Sequence, residues 1–319
     1  MSPATVYLIL LLTLGACGGS PAEPPPPVSA SRVPINTANG WSDSPFISRD
    51  GKRLYFMYSR YDFGPWIVSG GRTMPAPGGP DRPGLHHSDT NPFDESDIYL
   101  STRNADGTWG EPVNLGVNGG YGDSSGMEID NGNTFIWLRG NVSGNDIVLA
   151  TRRPDGSWNA PTDLGPGINA HAPGIVQDNP HLSADGAALW FTSSRPGGAG
   201  GKDLWFSLKS TGGWGVPRNV GAPVNTPGDE DQVWVSPVSQ DVYWNGPRGL
   251  MHCLSNGSTC ADTPVSITIP GCGYAAEASM PDDGRALFFA CGDLVTGRVR
   301  IMSSAKQPDG SWGVATPVD

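Results

Sequence analysis

Residues 178–221 read DNPHLSADGAALWFTSSRPGGAGGKDLWFSLKSTGGWGVPRNVG. Two alternating apolar runs, centred on Trp190 and Trp205, are each followed or preceded by a tight Gly-containing turn (ADGA, STGG). Trp214 then opens a further short strand. Alternation of period two, bounded by turns of this kind, predicts antiparallel strands joined as hairpins. The second half of the unit recurs at 96–116 (SDIYLSTRNADGTWGEPVNLG), at 145–165 (NDIVLATRRPDGSWNAPTDLG) and at 297–318, which ends QPDGSWGVATPV. The four repeat tryptophans, Trp109, Trp158, Trp214 and Trp312, are spaced 49, 56 and 98 residues apart. The last gap holds two repeats, so a divergent copy lies at 248–269. The first half recurs at 43–59 and 277–291, and more weakly at 123–138 and 231–244. Five first halves thus alternate with five second halves, at about 58 residues per unit. Four short strands per unit, repeated radially, predict an all-β chain: a five-bladed β-propeller of four-stranded antiparallel blades. The expected blades are approximately 41–117, 118–168, 169–225, 226–271 and 272–319.

Composition agrees. The 319 residues include 45 Gly and 31 Pro, enough for many turns, and 11 Trp, 9 Phe and 8 Tyr, too many aromatics for a disordered chain. The net charge of −11 and the lack of any basic run exclude a nucleic-acid partner.

The N-terminal region reads as an export signal. Val6 to Leu14 (VYLILLLTL) is an apolar run too short to span a bilayer. Leu14-Gly15-Ala16-Cys17 resembles the lipobox of bacterial lipoproteins. That resemblance implies a signal peptide at 1–16, lipidation at Cys17 and a Pro-rich tether at 17–30, ahead of the propeller at 31–319. The chain is then exported and lipid-anchored, at the outer membrane of a diderm by family habit, with the lipid as its sole membrane contact. An oxidising compartment suits the remaining cysteines, Cys253, Cys260, Cys272 and Cys291, as two disulfides. Three pairings are open. Cys253 and Cys260 flank a hairpin turn, which favours Cys253–Cys260 with Cys272–Cys291. A metal site is the rival reading.

The motif S-x-D-G-x-x-L-W-F followed by K-D-L-W-F resembles the WD40-like (TolB-type) β-propeller repeat. It is close at 178–221 and good at 43–60 with 96–116. The resemblance implies a propeller of the bacterial envelope and leaves the chemistry open.

Two faces follow from the strand order. The A–B and C–D turns lie on face two and are tight. The B–C and D–A loops lie on face one and are long, the longest being 61–95. The entrances of the innermost strands ring the channel on face one. An acid stands at each: Asp43, Asp123, Asp178, Asp231 (beside Glu230) and Glu277. Converging carboxylates repel, so their pKa values rise unless donors or a cation compensate. Three readings are open. The acids cap neighbouring loops, or hold a hard cation such as Ca²⁺ at the channel mouth, or supply acid and base to a glycosidic bond. Trp41-Ser-Asp43-Ser-Pro45 and Asp178-Asn-Pro180 are similar to the strand entrances of five-bladed arabinanase-type glycoside hydrolases. That resemblance implies Asp43 as base, Asp123 or Asp178 as positioning acid, and Asp231 or Glu230 as proton donor.

Trp41, Trp66 and Trp234 are the candidate sugar platforms, and His181 a candidate ligand of the inner wall. The repeat tryptophans read as blade-edge packing. The function expected first is a monomeric, envelope-anchored binding module with no required cofactor or metal. It would recognise a glycan or an envelope protein through face one, using Trp41, Asp43, Trp66, Asp123, Asp178, His181, Asp231, Trp234 and Glu277. A glycoside hydrolase or lyase using the channel-mouth carboxylates is the alternative.

Overall fold

The structure is a computed structural model. It describes residues 33–88, 90–141, 144–239, 241–255 and 259–319. The signal, lipidation and tether readings at 1–30 lie outside the described residues.

Five antiparallel sheets follow one another along the chain, each with its first strand innermost. The inner strands are Trp41–Ile47, Asp123–Ile129, Gln177–Leu182, Asp231–Val235 and Tyr274–Ser279. They contact one another around a central channel. The second and third strands are the longest and most buried, as in Ala188–Ser193 paired to Asp203–Ser210. The outermost strands are two-residue pieces such as Val113–Asn114 and Thr316–Pro317. In blade 3 a small hairpin, Gly213–Trp214, branches from the third strand beside the outer strand Arg218–Asn219. Edges this short blunt the exposed side of each sheet. The protein is therefore a five-bladed β-propeller.

The repeat tryptophans bind blade to blade. Trp109 and Trp312 are buried. Trp109 meets Phe288 of blade 5 edge-on at 6.0 Å, and Trp158 Nε1 donates to the Leu115 carbonyl of blade 1 at 2.9 Å.

A second repeated device lies in the linkers between blades. Val117-Asn118, Ile168-Asn169 and Val224-Asn225 each bury the aliphatic residue and turn the Asn onto the third strand of the blade just finished. Asn169 and Asn225 each satisfy both the N–H and the C=O of one residue there, Ile147 and Leu204. Ile35-Asn36 does the same for Ile301 of blade 5 and closes the ring.

The linker into blade 5 has Ile269-Pro270 at the corresponding place, and the Cys272–Cys291 disulfide joins it to the second strand of blade 5. Cys253–Cys260 is also bonded. Closing a loop with a sequence separation of 19 restricts the unfolded chain by about 3 kcal/mol. The double variant Cys272→Ser/Cys291→Ser should lose about that much in a denaturant titration; an unchanged midpoint would show that the bond is not formed in the folded protein.

The 61–95 loop is packed onto blade 1. Leu85, Ser88 and Glu95 are buried, and Arg60 is held by both oxygens of Glu95, at 2.7 and 3.0 Å. Arg82 lies 4.1 Å over the Tyr58 ring, and its guanidinium donates to the carbonyls of Pro34 and Ile35.

Candidate functional site

Every inner strand carries a bulge at its face-one end. The register slips between Asp43 and Phe46, Ser124 and Met127, Asp178 and His181, Asp231 and Trp234, and Ala276 and Ser279. One residue inside each bulge has a left-handed backbone: Ser44, Ser125, Asn179, Gln232 and Glu277, with φ between 46° and 56°. Non-glycine residues pay for that conformation, and a set of them at one place marks a built site. All five line the upper channel.

This register sorts the five predicted acids. Asp43, Asp178 and Asp231 hold one position, just before the left-handed residue. Glu277 is itself the left-handed residue of blade 5. Asp123 precedes the slot by a residue, at the position of Ser42, Gln177, Glu230 and Ala275. Side chains at that earlier position turn away from the channel and cap the inter-blade linkers. Asp123 is fully buried, accepting from Gly119 N–H at 2.6 Å and from Trp137 Nε1 at 2.8 Å. Glu230 accepts from Thr226 N–H at 2.9 Å, Gln177 from Ala170 N–H, and Ser42 donates to the Ile35 carbonyl. Asp123 and Glu230 are therefore loop caps and do not reach the mouth, because alternation along a strand sends neighbours to opposite sides.

The acids that do reach the mouth form two groups. Asp43 and Glu277 converge on one donor: the Ser44 N–H lies 2.8 Å from Asp43 Oδ1 and 2.6 Å from Glu277 Oε2. Burial, and then the adjacent Asp43, push the Glu277 carboxyl well above its usual range. The second group is Asp178, Asp231 and Lys202. Lys202 Nζ bonds to Asp231 Oδ2, while Asp231 Oδ1 receives Thr192 Oγ1 at 2.8 Å and Asn179 Nδ2. Asp178 is pushed up to about 7, by burial first and by the charge of Asp231 second, with Lys202 pulling the other way. Lys202, from the 194–202 loop, was not among the predicted site residues. Its ammonium supplies positive charge among the acids.

The predicted aromatic platforms divide similarly. Trp41 is only 5% exposed; its Nε1 donates to Asp43 Oδ2 at 3.1 Å and Phe63 covers its edge. It orients Asp43. Trp66 is half-buried on the short helix Gly64–Val68, edge-on to Phe93 at 5.3 Å. Trp234 and His181 are buried deeper in the channel, 6.3 Å apart. Open aromatics of face one include Phe93 and Tyr274, each 42% exposed, with Tyr121 somewhat less so. Burial raises the pKa of the Tyr274 hydroxyl, and so do the charges of Asp231 and Glu277, which places it beside the acids. At the rim of blade 2, His171 Nε2 reaches Asp146 Oδ1 at 3.1 Å and Asp163 Oδ2 at 3.6 Å.

The raised carboxyls set a pH dependence of stability. Asp123 rises to about 6 and Asp178 to about 7, from a usual 3.8. The folded state then binds these protons more tightly than the unfolded chain. Their contribution is most favourable below the unfolded pKa and is lost as pH rises to the folded values. For Asp123 alone the difference is on the order of 2–3 kcal/mol at neutral pH. The thermal midpoint should therefore climb between about pH 8 and about pH 5.5; a flat profile would contradict the burial of these groups.

No family model matches the chain, and no curated protein matches it. Solved structures do. A thermostable family-43 glycoside hydrolase aligns with a TM-score of 0.53 at 12% identity, over 90% of this chain and 96% of the other. A family-43 β-xylosidase/α-arabinofuranosidase from a compost microbial metagenome, in a calcium-free complex with xylotriose, aligns at 0.50 and 12% identity over 89% and 96%. TolB of Acinetobacter baumannii aligns at 0.44 and 12% identity over 86% and 68%. At these identities the family-43 likeness is one of fold, and the class it defines is the five-bladed propeller.

Proposed function

We propose that the protein is a carbohydrate-active propeller that hydrolyses a glycosidic bond at the face-one mouth of its channel. One observation carries the reading: Asp178 holds its proton up to about pH 7 in a mouth that also presents the Asp43 carboxylate. Glycoside hydrolysis uses two carboxyl groups, one protonated as the acid and one acting as the base. In this reading Asp178 gives its proton to the leaving oxygen as the C–O bond breaks. Water attacks the anomeric carbon and passes a proton to Asp43. Asp43 then releases its proton to solvent, and solvent returns Asp178 to its acid form. The Lys202–Asp231 pair tunes Asp178. The roles differ from the initial expectation because Asp123 and Glu230 are spent as caps. The fold shared with two family-43 enzymes also supports the reading.

A second reading is glycan binding without turnover. It is favoured by the exposed rings of Phe93 and Tyr274 and by the saturation of Asp231 with internal hydrogen bonds. We further infer an exported, lipid-anchored protein, on the support of residues 6–17 and the two disulfides.

The deciding experiment incubates the protein with xylan, arabinoxylan and arabinan and reads the products by mass spectrometry. New oligosaccharides from the wild type, absent with Asp178→Asn, are expected. Retention of a polysaccharide on the protein with no products would replace hydrolysis by binding.

A further inference from the structure

His181 stands where the channel narrows, and the chemistry of the mouth does not use its ring. The side chain is 5% exposed. Its Nε2 accepts a hydrogen bond from the Val235 backbone N–H at 3.2 Å. A backbone amide can only donate, so the neutral ring carries its proton on Nδ1. Burial holds the imidazole down at about 4, which keeps it neutral at ordinary pH. Nδ1–H has no partner among the described residues.

The ring belongs to the walls of two spaces. Above it lies the upper channel, about 60 Å³. Below it, toward face two, lies a cavity of about 230 Å³. Phe46, Met127, His181 and Trp234 are shared by both walls and form the partition. The floor of the lower cavity is apolar, with Leu182 and Met280 joining Phe46, Met127 and Trp234. Its charged and hydroxyl groups are already engaged: Arg49 with Asp282, Glu128 with Arg53 and Tyr55, Asp130 with Thr134, and Ser183 with Asp185; the Asn131 amide completes the polar part of the lining. The His181 Nδ1–H is thus an unspent donor in a wall it shares with Phe46, Met127 and Trp234. An apolar cavity of about 150 Å³ takes a benzene ring, so this one has room for a ring and a short substituent.

We propose that the face-two end of the channel is a second binding site, for an uncharged single-ring molecule that offers one hydrogen-bond acceptor to His181 Nδ1. The site is independent of the acids at the mouth. Acetophenone and ethylbenzene are the probes: nearly equal in size, they differ in the carbonyl. In calorimetric titrations of the full chain, acetophenone should bind about five- to tenfold more tightly, the ratio expected of one hydrogen bond. The ring ¹⁵N spectrum should show a neutral Nδ1–H tautomer whose signal acetophenone moves and ethylbenzene does not. His181→Phe should bind both probes equally. Binding of neither probe, equal binding of both to the wild type, or a proton on Nε2 would each overturn the proposal. If His181→Phe fails to fold, the wild-type ratio and the tautomer still decide.

Discussion

Asp178→Asn should reduce glycosidic turnover by roughly 10²- to 10⁴-fold, the range a positioned general acid contributes. The substitution is mild for the fold. Asp178 Oδ1 accepts the Asn179 N–H at 2.8 Å, and the amide oxygen of Asn can accept it as well. What is lost is the proton that burial and Asp231 hold on the side chain. The pH profile gives the same group a separate readout. Donation needs the protonated form, so the rate should be sustained below about pH 7 and fall above it. Lys202 pulls the Asp178 value down, so Lys202→Met should move that alkaline limb upward while leaving turnover measurable. A structural role for Lys202 would lower the rate without moving the limb. If Asp178→Asn keeps full activity, the proton comes from elsewhere, and Glu277, also held well above its usual range, becomes the group to replace.

The propeller was legible because its repeats are local. Each hairpin announces itself through a turn such as ADGA or PDGS between alternating runs, and the residues that specify it lie within about fifteen positions. The site was legible in part. Asp43, Asp178, Asp231 and Glu277 were found by their place at strand entrances, and they do meet at the mouth. Asp123 and Glu230 were misplaced because a shift of one residue exchanges the channel side for the blade interior. The bulges that settle the register fall on Ser44, Ser125, Asn179, Gln232 and Glu277. Those five comprise four residue types, so the sequence carries no common mark of the ring they form. Lys202 was missed for another reason. It reaches Asp231 across 29 positions, and only the closed blade brings a loop lysine over a neighbouring strand. The Ile/Val-Asn linkers went unread: Ile35-Asn36, Val117-Asn118, Ile168-Asn169 and Val224-Asn225 are spaced 82, 51 and 56 residues apart, the 61–95 loop lengthening the first interval.

Asn36→Ala should destabilise the propeller by roughly 3 kcal/mol. Asn36 Nδ2 donates to the carbonyls of Ile301 at 2.9 Å and Val318 at 3.0 Å, and its Oδ1 accepts the Ile301 N–H at 2.7 Å. Truncation strands the Ile301 N–H and the Val318 carbonyl beside the buried Ile35, while the Ile301 carbonyl keeps the Val318 N–H at 3.1 Å; each stranded group costs about 1–3 kcal/mol when it loses its partner. Partial access to water keeps the total near the low end of that sum. Asn169→Ala removes the same kind of contact, but within a neighbouring linker only 22 residues from Ile147. Asn36 acts across 265 residues, joining the first described segment to the last blade. Long-range contacts of this kind bear the largest loop-closure entropy and form late. Asn36→Ala should therefore appear chiefly in the unfolding rate, faster by roughly a hundredfold, with refolding nearly unchanged. Asn169→Ala should divide its effect between both rates. Equal division for Asn36→Ala would mean that ring closure is already made in the transition state, and that the blades assemble around a closed ring instead of closing it last.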